Sequence, residues 1–360
     1  RGLGDVYKRQ GSLRAGSFDE TVSPARNNPA VVAPRRENIK VLHVLRAPLG
    51  GAFRHVFDLM CEQLNRGLNV GLVCDDTIAE KSTLDRLEYL AAECALGVTR
   101  LNIPRRPSVG DVSSLRAIRN RFAADPPDVI HGHGAKGAAY SRMLAPGLSA
   151  LSICTPHGGS LHFSYSTISG AAYLLGERIL SSRTDGMIFE SDFARREYED
   201  KVGKISFPYR IIHNGLHDSE FAPIRTENPE YDFVFVGEFR ELKGIYSILE
   251  AARILKRDHS FAILMVGSGP DEAVLRRRIV EYGLTKEITI SPPIHPARAA
   301  FAKGRCVLAP SIRESMPYIV LEALAARCPL LTTAVGGIPE IFGTRRDLLL
   351  NAGDSAMLSK

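Results

Sequence analysis

The sequence contains no apolar run of the roughly 18 residues that a membrane-spanning helix needs. The first forty residues also lack the apolar segment of a signal peptide. Both observations argue against an integral membrane or secreted protein. Hydrophobic residues at 44% and charged residues at 24% are typical of a soluble globular chain. We therefore expect a cytoplasmic protein.

The chain also lacks any C-x-x-C pair. Its six cysteines are scattered, and several lie in apolar runs: Cys61, Cys74, Cys94, Cys154, Cys306 and Cys328. A free thiol in such a run behaves as a small hydrophobic side chain. This usage fits a reducing compartment and argues against a disulfide scaffold or a cysteine zinc site.

Charge of one sign is not concentrated strongly enough to indicate a nucleic-acid surface. The formal net charge is only +6. Binding to a polyanionic backbone normally requires a dense basic patch, so we expect no nucleic-acid partner. The weak positive bias still permits peripheral contact with an anionic membrane, on the inner face of the membrane.

The two ends of the chain differ from the rest. Residues 1–38 are rich in Pro, Asn, Arg and Ser and predict a disordered tail. Within them, "DVYKRQ" is a translation of a transposon end used in sequencing libraries, so we interpret this tail as partly artefactual. The last residues, "NAGDSAMLSK", read as a loop and the first turn of a helix, so we expect the C-terminal domain to be truncated.

The remaining chain alternates strand-like and helix-like segments. A length of 360 residues suits two domains better than one core. The βα pattern is interrupted by a polar segment with two prolines, residues 216–232, and then restarts. We therefore predict a domain at 39–217 and another at 218–360. Each is an α/β domain with a Rossmann-like, doubly wound parallel sheet, and the two sheets face each other across a cleft.

The stretch "RESMPYIVLEALAARCP" predicts a helix that begins at Pro317. Val320, Leu321 and Leu324 form the expected buried stripe. Glu314 precedes the helix and Glu322 lies within it. Because a helix N-terminus attracts phosphate, and carboxylates accept hydrogen bonds from hydroxyls, this arrangement suits a nucleotide-sugar.

The longer stretch "PSIRESMPYIVLEALAARCPLLTTAVGGIPEI" resembles the E-x7-E region of retaining nucleotide-sugar glycosyltransferases of family 4, which have the GT-B fold. "PLGGAFRHVFDLMCEQLNRG", "PDVIHGHGAKG", "CTPHGG" and "IIHNGL" resemble landmarks of the family's N-terminal domain, in the same order. "FVGEFRELKG" and "LMVGSGPDE" resemble those of its C-terminal domain. The resemblance covers nearly all of residues 39–354.

The resemblance implies that Glu314 binds the hydroxyls of the donor sugar and Glu322 those of the ribose. It places the backbone of Gly50 and Gly51 close to the donor diphosphate. Lys243 would neutralise the phosphate charge that grows as the nucleotide leaves. The remaining donor contacts are expected in the loop and helix tip of Ser315, Met316 and Pro317.

One position departs from the family pattern. Many members have Arg directly after the glycine equivalent to Gly237, where this chain has Glu238. We expect Arg240 to supply the second phosphate cation, on the same side as residue 238 if the strand continues. By resemblance, His157 contacts the donor sugar or stabilises charge near the anomeric carbon. Backbone near Ile294 would meet the base.

The implied reaction is transfer of a sugar with retention of the anomeric configuration to a glycan or lipid-linked acceptor, commonly in surface polysaccharide or glycolipid synthesis. We find no D-x-D metal motif in a suitable loop and expect neither a metal nor a cofactor besides the donor substrate.

Other interpretations remain open. Gly267 and Gly269 form part of a dinucleotide fingerprint, which alone is a weak sign of an oxidoreductase. His131 and His133 suggest a metallohydrolase, although "GAKGAAYS" after them supplies no further ligand. A nucleotide-sugar epimerase or a non-catalytic binding protein of the same fold is the main alternative.

Overall fold

The structure, a computed structural model, describes residues 38–76, 81–224 and 228–360. The predicted tail therefore lies outside the described residues, apart from Asn38. Within the described part, no helix is long and apolar enough to cross a membrane.

The N-terminal lobe is built on a seven-stranded parallel sheet in the order β3-β2-β1-β4-β5-β6-β7. Its strands are β1 Lys40–Leu45, β2 Asn69–Asp75, β3 Gly97–Leu101, β4 Val129–His133, β5 Leu151–Thr155, β6 Gly186–Phe189 and β7 Tyr209–Ile211. Its helices are α1 Gly50–Asn65, α2 Lys81–Glu93, α3 Gly110–Phe122, α4 Gly134–Leu148, α5 Ile168–Ser181 and α6 Asp192–Lys201.

The C-terminal lobe repeats the plan with a five-stranded parallel sheet in the order β10-β9-β8-β11-β12. Its strands are β8 Tyr231–Val236, β9 Ile263–Val266, β10 Ile288–Ser291, β11 Gly304–Ala309 and β12 Leu330–Thr332. Its helices are α7 Ile245–Leu255, α8 Glu272–Glu281, α9 Ala297–Phe301, α10 Tyr318–Ala325, α11 Ile338–Phe342 and α12 Ser355–Leu358. Two doubly wound parallel sheets, one on each side of the predicted boundary, confirm the predicted fold class.

Close packing explains the glycines of "HGHGAKG". A Cβ on Gly132 would lie 2.3 Å from the carbonyl oxygen of Gly137, and one on Gly137 would lie 2.1 Å from the carbonyl oxygen of Val44. Helix α4 therefore packs directly against the backbone of β1 and β4. This contact fixes the ends of the two central strands relative to each other.

Two details of the helix predicted to begin at Pro317 were wrong. Helix α10 begins at Tyr318, with Pro317 as its N-cap residue in an extended conformation. Val320 is fully buried as expected, but Leu324 is 39% exposed. The second apolar surface of this short helix is formed by Ala323 instead, which packs with Phe301 and Val307.

Candidate functional site

The candidate site lies where the strand order of each sheet reverses. In the first sheet, strands β2 and β3 lie on one side of the β1–β4 pair, and strands β5 to β7 lie on the other side. The β8–β11 pair divides the second sheet in the same way. Ligands in doubly wound sheets bind in the crevice at such a point, outside the carboxyl ends of the strands. Gly50 and Gly51 follow β1, Lys243 follows β8, and Glu314 follows β11. The sequence-predicted residues are thus distributed over both switch points.

Lys243 and Glu314 are in direct contact. The Lys243 Nζ donates to the Glu314 Oε1 at 2.6 Å, and the Ser311 Oγ donates to the same oxygen at 2.8 Å. Glu314 is 9% exposed. The two loops meet because Gly244 has φ +75°, and a Cβ there would lie 1.9 Å from the carbonyl oxygen of Pro310. A larger residue at 244 would push the turn that carries Lys243 away from the loop that carries Glu314.

Gly336 and Gly337 support the loop that carries Glu314 and Ser315. Gly336 has φ +61°, and a Cβ on it would lie 2.1 Å from the carbonyl oxygen of Glu314. The Gly337 amide donates to the carbonyl oxygen of Ser315 at 2.6 Å. The "AVGGIPE" segment therefore fixes the backbone on which Glu314 and Ser315 stand.

The N-terminal end of α10 faces the N-terminal lobe. A Cβ on Gly51 would lie 3.3 Å from the Tyr318 ring, and the Asn214 Nδ2 donates to the carbonyl oxygen of Met316 at 2.8 Å. Within the described chain, no side chain caps this helix, and its first turn contains no acid. Free amides of the first turn and the helix dipole favour an anion at this end. The N-terminal end of α10, which Pro317 precedes, is therefore directed at the boundary between the lobes.

Glu322 lies at the same boundary and has a partner that the sequence did not predict. The Arg54 guanidinium of α1 donates through Nη1 to the Glu322 Oε1, and through Nη2 to both carboxylate oxygens of Glu220 at 2.7 and 2.8 Å. It also lies 4.4 Å above the Tyr318 ring. The acid predicted to bind ribose is therefore hydrogen-bonded to an arginine of the other lobe.

Arg240 is paired with the residue that departs from the family pattern. Strand β8 ends at Val236, so the strand does not continue as assumed. The side chains of Arg240 and Glu238 nevertheless meet, with Nη2 2.9 Å from Oε1. Both are about one third or more exposed, at 33% and 45%, so this pair is weak and open to exchange.

The loops beside Gly237 account for the partial dinucleotide fingerprint. A Cβ on Gly267 would lie 1.9 Å from the carbonyl oxygen of Gly237, and one on Gly269 would lie 2.4 Å from that of Phe239. Both glycines are thus required by the contact between the β8 and β9 loops. Ile294, predicted to lie near the base, is partly buried against the cluster of Val234, Leu264, Val266 and Ala300.

His157 occupies a strained turn after β5. Its φ of +49° is uncommon for a residue with a side chain, and such backbone strain is concentrated at functional sites. Its Nδ1 lies 2.6 Å from the Glu190 Oε1, and its Nε2 lies 3.0 Å from the His133 Nδ1. The other oxygen of Glu190 accepts a hydrogen bond from the Ser315 hydroxyl at 3.2 Å. His157 is thus connected across the boundary to the loop that carries Glu314.

The structure assembles more histidines than the sequence indicated. His131 and His133 from β4 meet His43 from the adjacent strand β1, where His43 and His131 are register partners, and His55 from α1. The argument that no further ligand accompanies the "HGHG" histidines was therefore incomplete, because the other histidines come from distant segments. Nitrogens of His43, His131 and His133 lie within 4.8 Å of one another, and so do those of His55, His133 and His157.

These nitrogens are aimed at each other and at protein partners. The His43 Nδ1 lies 3.0 Å from the His133 Nε2, and the His131 Nε2 lies 2.9 Å from the Thr155 hydroxyl. A metal triad would instead need one lone pair from each ring to converge on a single point. Burial lowers the pKa of His43 and of His55 to about 4, and it also lowers the pKa of His131 and His133 well below the ordinary 6.5. The rings of these four histidines are therefore neutral at neutral pH.

Glu340 forms a further link between the lobes. Its two carboxylate oxygens accept from the backbone amides of Asp192 and Phe193, at 2.9 and 2.7 Å. These amides belong to the first turn of α6, where a negative charge is favourable. The glutamate of "GGIPE" in the C-terminal lobe thereby caps a helix of the N-terminal lobe.

Two family models match the chain. Residues 50–215 match the glycosyl transferase 4-like domain, and residues 230–360 match glycosyl transferases group 1. Together the matches cover both lobes and most of the chain. The chain belongs to this group of glycosyltransferases.

Individual relatives of this glycosyltransferase are distant. A Bacillus subtilis protein named as a teichuronic acid biosynthesis glycosyltransferase, TuaC, is 26% identical over 65% of this chain and 60% of its own length. The D-inositol 3-phosphate glycosyltransferase of an Arthrobacter species is 30% identical over 35% of this chain and 32% of its own length. The chain thus spans less than two thirds of each of these relatives.

Solved structures confirm the GT-B architecture. Sucrose-phosphate synthase from Thermosynechococcus elongatus superposes with a TM-score of 0.71 at 19% identity, covering 89% of this chain and 88% of that one. The Anabaena protein HepE in complex with UDP-glucose also gives 0.71, at 17% identity and the same coverage. At these identities the likeness establishes the fold.

Proposed function

We propose that this glycosyltransferase moves a sugar from a nucleotide-diphosphate donor to a glycan or lipid-linked acceptor, with retention of the anomeric configuration. The observation that carries the proposal is the Lys243–Glu314 contact at 2.6 Å, beside the uncapped N-terminal end of α10. A cation, a carboxylate and an amide-lined helix tip are the groups that a sugar diphosphate requires.

Each group has a separate task in the proposed reaction. Lys243 and the α10 amides stabilise the negative charge that develops on the diphosphate as the bond to the sugar breaks. Glu314, held by Ser311 and Lys243, accepts hydrogen bonds from the sugar hydroxyls. Arg240 turns from Glu238 to the second phosphate. The acceptor hydroxyl attacks the face from which the nucleotide leaves, and the diphosphate takes its proton.

The relatives support the donor and acceptor classes. HepE has been solved with UDP-glucose, and TuaC is named for the biosynthesis of teichuronic acid. We extend both to this chain as proposals: a nucleotide-sugar donor, and a role in surface polysaccharide or glycolipid synthesis. A cytoplasmic location with peripheral contact to the inner face of the membrane is part of the same proposal, as is independence from a metal.

The test begins with thermal shift measurements against UDP-, GDP- and ADP-sugars. The sugar that stabilises the protein is then supplied in radiolabelled form with a lipid extract or glycan acceptors, with and without EDTA. Label on an acceptor, in the same anomeric configuration as in the donor, supports the proposal. Label that stays on a donor with altered sugar stereochemistry indicates an epimerase, and stabilisation without any conversion indicates a binding protein.

A further inference from the structure

Five side chains form one continuous hydrogen-bonded line that runs from α1 to the lobe boundary. We call it the histidine line: Gln63, His43, His133, His157 and Glu190. Its successive contacts are 2.7 Å from Gln63 Oε1 to His43 Nε2, 3.0 Å from His43 Nδ1 to His133 Nε2, 3.0 Å from His133 Nδ1 to His157 Nε2, and 2.6 Å from His157 Nδ1 to Glu190 Oε1.

The rings are arranged head to tail. Ring centres lie 5.3 Å apart in both His–His pairs, and the ring planes differ by only 26° and 23°. That separation is about the N···N distance plus the two ring radii, so each hydrogen bond runs along the line that joins the ring centres. Each ring therefore uses both of its nitrogens within the line.

Such a line has a direction. A neutral imidazole has one N–H donor and one acceptor nitrogen, so all rings must donate toward the same end. Glu190 as a carboxylate only accepts. Gln63 either donates or accepts, because rotating its amide by 180° exchanges the oxygen and the nitrogen. The orientation of the Gln63 amide thus selects between two proton arrangements.

In the first arrangement, Gln63 donates to His43 and every ring donates toward Glu190. Three neutral rings then satisfy the Glu190 carboxylate. In the second arrangement, the Gln63 oxygen accepts from His43 and every ring donates toward Gln63. His157 must then bear a second proton, on Nδ1, to donate to Glu190. The structure has the Gln63 oxygen toward His43, which is the second arrangement.

We propose that Gln63, His43 and His133 are positioning residues that set the tautomer and the proton content of His157. The proposal rests on the function proposed above and on the expectation, implied by the family resemblance, that His157 contacts the donor sugar. One proton from solvent balances the change: it binds His43 Nε2, the His43 Nδ1 proton passes to His133 Nε2, and the His133 Nδ1 proton passes to His157 Nε2. His157 then holds a proton on each nitrogen.

Burial and charge keep the added proton at the outer end of the line. His43 and His133 are 0% and 1% exposed, and burial lowers the pKa of both, with the Gln63 hydrogen bond opposing this at His43. Among the residues that the structure describes, the other titratable groups that act on these two rings are the histidines His55 and His131, and no carboxylate is paired with either ring. Burial raises the pKa of Glu190, but the charge and hydrogen bond of His157 outweigh it, and the pKa is lowered overall.

The outer end of the line reaches the opposite lobe. Glu190 accepts from the Ser315 hydroxyl, and Ser315 follows Glu314 directly. A positive His157 and a negative Glu190 therefore hold the donor loop through one hydrogen bond.

The experiment is ¹⁵N NMR of histidine-labelled full-length chain at neutral pH, without donor. Gln63→Met offers neither a donor nor an acceptor to His43, and Glu62→Gln is the control on the exposed neighbouring position of α1. We expect Nε2–H on His43 and His133 in the wild type and in the control, and Nδ1–H in Gln63→Met. Nδ1–H in the wild type, or an unchanged pattern in Gln63→Met, overturns the proposal.

Transfer kinetics test the positioning role separately. Gln63→Met should lower kcat at least roughly tenfold and displace its pH profile, with the donor Kd unchanged within about twofold. Glu62→Gln should retain the wild-type profile. A changed tautomer with unchanged kcat and pH profile overturns the role in transfer. Absence of transfer in the wild type rejects the proposed function instead and leaves the NMR result standing.

Discussion

The guanidinium of Arg54 joins the carboxylate of Glu322 across the boundary between the lobes, 268 residues apart in sequence. Both side chains are largely buried, at 15% and 12% exposure. Because Arg54 also holds Glu220 in the segment that connects the two sheets, it binds helix α1, the connection and helix α10 to one another. Glu322, which the family resemblance assigns to the ribose hydroxyls, is therefore already hydrogen-bonded to Arg54.

Replacing Arg54 with Met should strengthen donor binding. If Arg54 and the ribose hydroxyls compete for Glu322, removing the arginine lowers the Kd of the nucleotide-sugar by about 3- to 10-fold, or roughly 1 kcal/mol. Isothermal titration calorimetry measures this directly. Glu220→Gln, which retains the Arg54–Glu322 contact, serves as the control and should give no gain. Weaker binding in Arg54→Met would mean that Arg54 itself contacts the donor.

The proposed phosphate role of Lys243 predicts a selective loss of affinity. Lys243→Met should raise the Kd of nucleoside diphosphates roughly 10- to 100-fold, the usual value of a charge-assisted hydrogen bond, while free nucleosides bind as before. Lys256→Met is a matched control, since Lys256 pairs with Glu287 on the surface of the same lobe. Equal weakening of nucleoside and diphosphate binding would show that Lys243 supports the fold of the site and has no specific phosphate contact.

Glu314→Gln separates charge from hydrogen bonding at the same place. The amide oxygen still accepts from the Ser311 hydroxyl, but the ion pair with Lys243 is lost. We expect transfer to fall by roughly 100-fold while the melting temperature changes by only a few degrees. Transfer near the wild-type rate, in a folded protein, would remove Glu314 from the reaction.

The sequence predicted those parts of the protein that depend on local pattern. Alternating strands and helices, with Gly50 and Gly51 after β1 and Lys243 after β8, determine which loops meet at a switch point of each sheet. Glu314 could be placed near Lys243 by this argument because the strands before them, β8 and β11, are neighbours.

The contacts that the sequence did not predict depend on distant segments. Gln63 and His43 belong to an ordinary helix and an ordinary strand, and nothing in their local spacing indicates that they are connected to His157 through His133. Arg54 reads as a solvated residue of an amphipathic helix until the second lobe packs against it. The one available signal was the number of histidines near predicted strand ends, which taken together favour a common cluster.

A buried ion pair in the N-terminal lobe predicts a large effect on stability. Arg142 of α4 is completely buried and donates to Glu177 at 2.6 Å and to Thr184 at 2.8 Å. Glu177→Ala leaves this cation without its carboxylate and should cost about 3–5 kcal/mol of unfolding free energy, measured by urea denaturation. The double variant Arg142→Met/Glu177→Leu should recover most of the loss. A single variant as stable as wild type would contradict a buried, charged pair.

Acidification should destabilise the protein over the range in which the buried histidines titrate. His43 has its pKa lowered from 6.5 to about 4 by burial, so between these values the unfolded chain binds more protons than the folded one. Stability therefore falls as pH decreases from 6.5 to 4, by up to roughly 3 kcal/mol for a group of this shift. Urea midpoints measured across this range should decline less steeply in His43→Gln than in wild type. Substitution of the exposed His259 with Gln should leave the decline unchanged, and equal slopes in all three proteins would show that His43 does not resist protonation in the folded state.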